Sequence, residues 1–231
     1  MVERSSPELL IPALNEYLEG LVQITFRHQG TVDKIVGDAV HVLFGAPVAQ
    51  SDHAARAVAC ALDMDAFAED FRRRQSNEIG FGVTRIGVNS GMAVVGNFGG
   101  ESLFDYTAHG DAVNTAARLE NANKYLGTRV CVSESTAALV PDFCGRPAAD
   151  LHLKGRSSAL RVFEPLSPVM RESDSIAAYR EAFDLLECGE GGVLERFRVL
   201  AEADVSDPLA TLHWKRLQAG ENGVVVSLQH D

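Results

Sequence analysis

No stretch of this chain approaches the ~18 consecutive apolar residues needed to cross a bilayer. Nor does its first segment, "MVERSSPELL", pair a basic region with an apolar core of the kind that directs export. Together these absences point to a cytoplasmic protein without a membrane segment. Cysteine is scarce. Cys60, Cys131, Cys144 and Cys188 are widely separated, with no C-x-x-C spacing, which argues against a zinc or dithiol motif and for free thiols in a reducing compartment. Positive charge is also short. The 21 Lys and Arg stand against 32 Asp and Glu, for a formal net charge of -11 and a pI near 5.1. Non-specific binding to nucleic acid or anionic lipid relies on clustered Lys and Arg, so neither is an expected partner. An anionic substrate would need local cations.

What is present is a globular pattern: 231 residues, 46 % hydrophobic and 23 % charged, enough for one sizeable domain and a smaller appendage. Residues 7 to 27 repeat Leu10, Leu14, Tyr17, Leu18, Leu21 and Ile24 at helical spacing behind a Ser-Ser-Pro-Glu entry suited to an N-cap. "TVDKIV" and "AVHVLFG" then read as two strands of a hairpin turning at Gly37-Asp38. A second amphipathic helix spans 51 to 75, closing on three arginines as the helix dipole prefers. "GVTRIGVNSGMAVVGNFGG" suggests two strands around a Ser90-Gly91 turn. "GDAVNTAARLENANKYL" is helical, "TRVCV" a strand, 133 to 140 a short helix, and "DLHLKG" with "ALRVFEPL" a closing strand pair. Such a mixture predicts an α+β sandwich with a mostly antiparallel sheet. Pro165 and Pro168 mark a boundary between a domain over 1–166 and a helical tail over 173–231. The tail reads as three short helices broken at 189–192 and 206–208, with Tyr179, Ala182, Phe197 and Leu200 spaced as in one tetratricopeptide-like hairpin.

Taken singly, the polar residues in this frame have ordinary readings. Asp38 is a turn former, Lys34 a solvated strand lysine, Asn114 and Arg118 neighbours four apart on one helix face, and Lys154 an edge-strand charge. Asp111 suits a helix cap or first turn.

In order along the chain, however, "VDKIVGDAVHVLFG", "RIGVNSGMAVVGNFGG", "FDYTAHGDAVNTAARLE" and "LHLKGRSSALRVFEPL" resemble the class III nucleotide cyclase catalytic domain. That family makes cyclic AMP or cyclic GMP, and the resemblance covers about residues 6 to 166. It implies a ferredoxin-like (βαββαβ-type) cyclase sandwich that works as a homodimer, with active sites shared between the two subunits. It further implies that Asp38 ligates Mg²⁺ or Mn²⁺ and that Lys34 and Thr107 read the purine. Asn114 orients the ribose, Arg118 stabilises charge on the α-phosphate, and Lys154 holds the terminal phosphates. A lysine offers donors and no acceptor, which favours the N1 acceptor of adenine over the N1–H of guanine. Thr107 resembles the bacterial subgroup in which a hydroxyl accepts from the adenine 6-amino group. The expected reaction is therefore adenylate cyclisation of ATP. "VGDAV" lacks the G-G-[DE]-E-F turn of diguanylate cyclases.

Family members begin with a strand and turn of the form F-x-D-[IV]-x-G-F-T shortly before this first helix. Here Met1 falls inside that connection, so the expectation is a domain lacking its first strand, whose second metal-binding aspartate would precede Met1. A degenerate, non-catalytic dimerisation module is the alternative. The tail, on this reading, offers a surface for a protein partner.

Overall fold

The computed structural model describes residues 7–75, 80–100, 104–153 and 158–228. Ser5 and Ser6, expected at the entry of the first helix, lie outside them, as does Lys154.

Two long helices, α1 (Pro7–Arg27) and α2 (His53–Arg74), are set by their apolar spacing and lie against each other. Tyr17, Leu21 and Ile24 of α1 are buried with Met64, Ala68 and Phe71 of α2. Between them the rings of Tyr17, Phe67, Phe71 and Phe81 meet at centroid distances of 5.0 to 6.3 Å, a range in which aromatic pairs attract. Beneath this layer runs the hairpin of β1 (Thr31–Val36) and β2 (Ala39–Leu43), whose Val40 and Val42 join the same core. Its turn falls at Gly37 (φ +64°) and Asp38, as the sequence indicates.

β3 (Ile86–Val88) pairs in parallel with β6 (Val130–Ser133), and β6 pairs antiparallel with β8 (Leu160–Pro165), itself antiparallel to β7 (Gly145–His152). A last strand, β9 (Val225–Ser227), lies parallel to β7 and completes a five-stranded sheet. A separate ribbon joins β4 (Val94–Gly99) to β5 (Phe104–His109) in antiparallel register. The result is α+β, with mostly antiparallel ladders. Helix α3 (Asp111–Leu126) packs on β3 and β6, and the single turn α4 (Glu134–Ala137) follows β6.

The expected hairpin around Ser90-Gly91 does not form. The segment is held by other partners: Asn89 Nδ2 donates to the Ala112 carbonyl (2.9 Å), and Ser135 Oγ donates to the Ser90 carbonyl (2.9 Å). These bonds turn the chain away from β3 and deliver it to β4, whose mate is β5, a strand the sequence pattern did not announce. β7 also begins earlier than expected, at Gly145, because a bulge between Pro147 and Ala149 accommodates a proline within the ladder.

Beyond β8, α5 (Asp174–Cys188), α6 (Val193–Ala203) and α7 (Pro208–Gln218) break where the glycines and the Ser-Asp-Pro turn indicate. Their apolar faces do not form a core of their own. Tyr179, Phe183, Phe197 and Leu209 are buried together with Leu119 and Leu126 of α3 and with Leu151 and Val162 of β7 and β8.

Candidate active site

Lys34 and Thr107 stand on adjoining elements. Lys34 lies on β1 opposite His41, and β5, which carries Thr107, packs against β1. Thr107 faces Gly96 across the ribbon and is 4 % exposed, so its hydroxyl sits in a sheltered place. Lys34 is half-buried, its Nζ 3.9 Å from Asp33 Oδ2.

Asn114 and Arg118 share one face of α3, as their spacing requires. Asn114 is exposed, and Arg118 keeps 36 % of its side chain in solvent, with Nη1 at 3.9 Å from Asp111 Oδ1. So long an ion pair holds the guanidinium loosely and leaves its fork available to an anion. Gly110 is the N-cap residue, and Asp111 occupies the first turn. β3 fixes the depth of α3: a Cβ on Gly87 would lie 2.1 Å from the Ala116 carbonyl oxygen and 2.4 Å from the Glu120 amide nitrogen. Only glycine lets the strand pass this close. Asn123 adds a tie through Nδ2, which donates to the Ile86 carbonyl (3.0 Å).

Asp38 is exposed at its hairpin tip, yet its charge is felt on two other elements. Burial raises the pKa of Glu120 on α3, Arg85 opposes the rise, and Asp38 adds to it. Tyr17 on α1 is likewise pushed up by burial and, in smaller part, by Asp38, while its hydroxyl hydrogen bond with Thr84 (2.7 Å) pulls the other way. The Asp38 charge thus reaches both α1 and α3. Of the six residues singled out in the sequence, five lie among those described; Lys154 follows Leu153, the residue after the end of β7, outside them.

One residue escaped the sequence reading. Asp33, beside Lys34, has its side chain only 4 % exposed, and its Oδ1 is buried without a hydrogen-bond partner. Strand alternation would have placed it on one regular face, but a bulge between Val32 and Lys34 turns it inward.

A hard cation takes oxygen ligands, about six for Mg²⁺ and six to eight for Ca²⁺. The Asp38 carboxylate fits such an ion in kind. In number it does not suffice, for no group of three or more His, Cys, Asp or Glu side chains converges among the described residues. Further ligands would have to come from elsewhere, and a nucleotide triphosphate is rich in them.

Comparison with known proteins agrees with this layout. The family described as "Adenylate and Guanylate cyclase catalytic domain" matches residues 1–163. "Adenylate cyclase 1" of Rhizobium meliloti (strain 1021) is 38 % identical over 169 residues, which cover 72 % of this chain and 25 % of that protein. The chain thus spans about a quarter of the length of that relative. Among solved structures, the adenylyl cyclase CyaB from P. aeruginosa superimposes with a TM-score of 0.66 at 31 % identity, over 74 % of this chain and 89 % of that one. The guanylate cyclase domain of RhGC from Catenaria anguillulae in complex with GTP gives a TM-score of 0.62 at 27 % identity, over 72 % of this chain and 88 % of that one. With an α+β fold, a family match over residues 1–163 and 38 % identity to a bacterial adenylate cyclase, the chain belongs to the adenylate and guanylate cyclase catalytic domain family.

Proposed function

We propose that this chain is the catalytic domain of an adenylate cyclase, turning ATP into 3′,5′-cyclic AMP and pyrophosphate. The observation that carries the reading is the pairing of a lysine and a buried threonine on neighbouring strands, with Asn114 and Arg118 on one face of the adjoining α3. Lys34 donates to adenine N1 and Thr107 accepts from the 6-amino group, a pattern that guanine, with N1–H and a 6-oxo group, inverts.

Asn114 orients the ribose. Its 3′-hydroxyl gives up its proton to solvent as the oxygen attacks the α-phosphorus, a new P–O bond forms, and the bond to the bridging oxygen of the β-phosphate breaks, so that pyrophosphate leaves. Charge grows on the α-phosphate oxygens, and Arg118 supplies a rigid, permanently charged fork there. Lys154 neutralises the terminal phosphates. No covalent intermediate with the chain is required. Asp38 would hold Mg²⁺ or Mn²⁺, which when bound acidifies a hydroxyl and neutralises phosphate charge.

Dimerisation belongs to the same reading. The β4–β5 ribbon and the segment before it expose Met92 (94 %), Val94 (67 %) and Phe104 (64 %), more apolar surface than an isolated ribbon favours in water. A second copy of the chain is its proposed cover, and each of two symmetric sites would draw residues from both copies. A narrower observation favours a second reading, a non-catalytic dimerisation and binding module: among the described residues no group of three or more His, Cys, Asp or Glu converges around Asp38. The readings separate on cyclic AMP formation from ATP with Mn²⁺. The enzyme reading predicts product that disappears in Asp38→Ala; the binding-module reading predicts none from either protein.

A further inference from the structure

We propose that Asp207, at the start of α7, is a positioning residue for the nucleotide site: it locks the C-terminal helices onto the sheet so that α7 buttresses α3. For its functional consequence this rests on the cyclase reading above; for its geometry it rests on contacts alone.

The lock centres on Arg146 of β7, which is 5 % exposed. Its Nη1 donates to Asp207 Oδ2 (2.6 Å), its Nη2 to Asp207 Oδ1 (2.9 Å) and its Nε to Glu164 Oε2 of β8 (2.7 Å). The guanidinium also sits 4.5 Å over the ring of Tyr179 from α5. Asp207 has a second duty. The same Oδ1 accepts from the amides of Leu209 (3.0 Å) and Ala210 (3.1 Å), capping α7. One carboxylate therefore both begins the helix and ties it to the sheet. A buried cation left with a single carboxylate would be far less well satisfied.

The first turn of α7 abuts the end of α3. Gly127, the left-handed C-cap of α3 (φ +75°), comes so close to Pro208 that a Cβ there would lie 2.7 Å from the proline Cβ. Leu209 and Ala210, fully buried, share one cluster with Leu119, Ala122 and Leu126 of α3. Leu119 directly follows Arg118. At its other end α3 is held by Asn89, and at its middle by the close passage of Gly87. The helix is thus wedged between β3 and α7, and close-packed interiors pass on displacements instead of absorbing them.

This path leads to Asn114 and Arg118, the groups assigned to the ribose and the α-phosphate. It does not run through Lys34 on β1, and it touches Thr107 only through the edge of β5, which stands in a ladder apart from the five-stranded sheet. Misplacing reactive groups by ~1 Å costs up to about 100-fold in rate. Loss of the lock should therefore lower kcat while leaving KM for ATP and the purine preference in place.

The experiment uses the full chain with Asp207→Ala, Asp207→Asn, which keeps the cap acceptor and gives up the charge, and Arg198→Ala, which removes ion pairs with Glu195 and Glu202 on the exposed side of α6. Amide hydrogen exchange is followed by mass spectrometry over residues 115–127 and 31–43, beside cyclic AMP formation under conditions where each variant is folded. Asp207→Ala is expected to speed exchange in α3 by about tenfold or more with β1–β2 unchanged, and to lower kcat about tenfold at constant KM. Asp207→Asn, which keeps the cap but loses the paired acceptor for Arg146, should fall between Asp207→Ala and wild type in both, and it carries the same readouts if Asp207→Ala does not fold. Arg198→Ala should move neither. The proposal is overturned if α3 exchange stays at the wild-type rate in the Asp207 variants, or if KM rises while kcat holds. A wild-type chain that forms no cyclic nucleotide overturns the cyclase reading instead, and the exchange difference then decides the buttress by itself.

Discussion

At the scale of single residues, two positions carry most of the proposed chemistry, and each yields a prediction. Lys34→Glu replaces a donor with an acceptor at the purine edge. A hydrogen bond to a charged group is worth about 1.5–3 kcal/mol, so kcat/KM for ATP should fall by roughly 10- to 100-fold and turnover of GTP should rise; steady-state kinetics with both nucleotides test it. Arg118→Ala removes a donor aimed at charge that develops during reaction, which by analogy with a lost oxyanion donor lowers kcat about 100- to 1,000-fold. KM should change little, since the loss falls on the transition state. Turns and helices impose short, fixed periodicities, so the placement of four candidate residues was legible, Asp38 after Gly37, Asn114 and Arg118 one turn apart, Lys34 four before Asp38; their proposed roles came from the cyclase resemblance and not from spacing. Asp33 could not, since a bulge leaves no mark in residue type and reverses the face a strand residue presents.

At the scale of elements, the helices were legible throughout, including the breaks of the tail, because apolar spacing, caps and glycines act locally. Strand pairing was not. β3 and β4 are neighbours in sequence and read as a hairpin, yet β3 pairs with β6 and β4 with β5. The deciding contacts, Asn89 to Ala112 and Ser135 to Ser90, join residues 23 and 45 apart in sequence, beyond the reach of a local pattern. β9 was equally silent, as three residues held by a distant partner strand. The contact that most firmly sets α3 is testable. Gly87→Ala forces a methyl group into the backbone of α3 at Ala116 and Glu120, an overpacking that costs about 1–3 kcal/mol or somewhat more. Denaturant unfolding should show a lower midpoint with an unchanged slope.

At the scale of the whole molecule, the sheet and the C-terminal helices share one core, and a buried histidine lies within it. His213 is fully buried, its Nε2 hydrogen-bonded with the Ala148 carbonyl (3.0 Å) among the rings of Tyr179, Phe183 and Phe197. Burial, then the nearby charge of Arg216, pushes its pKa down to about 4, with Arg146 adding to the fall and Asp207 opposing it. The sign follows directly. Below the ordinary histidine pKa the unfolded chain takes up a proton that the folded chain refuses, so this group makes stability fall as pH drops from about 6.5 to about 4. The loss is at most roughly 3 kcal/mol. Glu164, raised by burial, acts in the opposite sense, so the informative quantity is the difference between wild type and His213→Gln. Unfolding midpoints across that range should fall more steeply in the wild type. The ribbon supplies another prediction: Phe104→Asp places a charge on the proposed contact between copies and should shift sedimentation toward the monomer.

On the proposed reading, these elements assemble a site that cyclises ATP. Product analysis after incubation of ATP or GTP with Mn²⁺ tests this, using the chain alone and the chain extended at its N-terminus by the strand and aspartate that the cyclase resemblance implies. Cyclic AMP from ATP is expected in about tenfold or greater excess over cyclic GMP from GTP, with product falling about 100-fold or more in Arg118→Ala. Absence of cyclic AMP from both forms, or equal turnover by wild type, Asp38→Ala and Arg118→Ala, would contradict that reading.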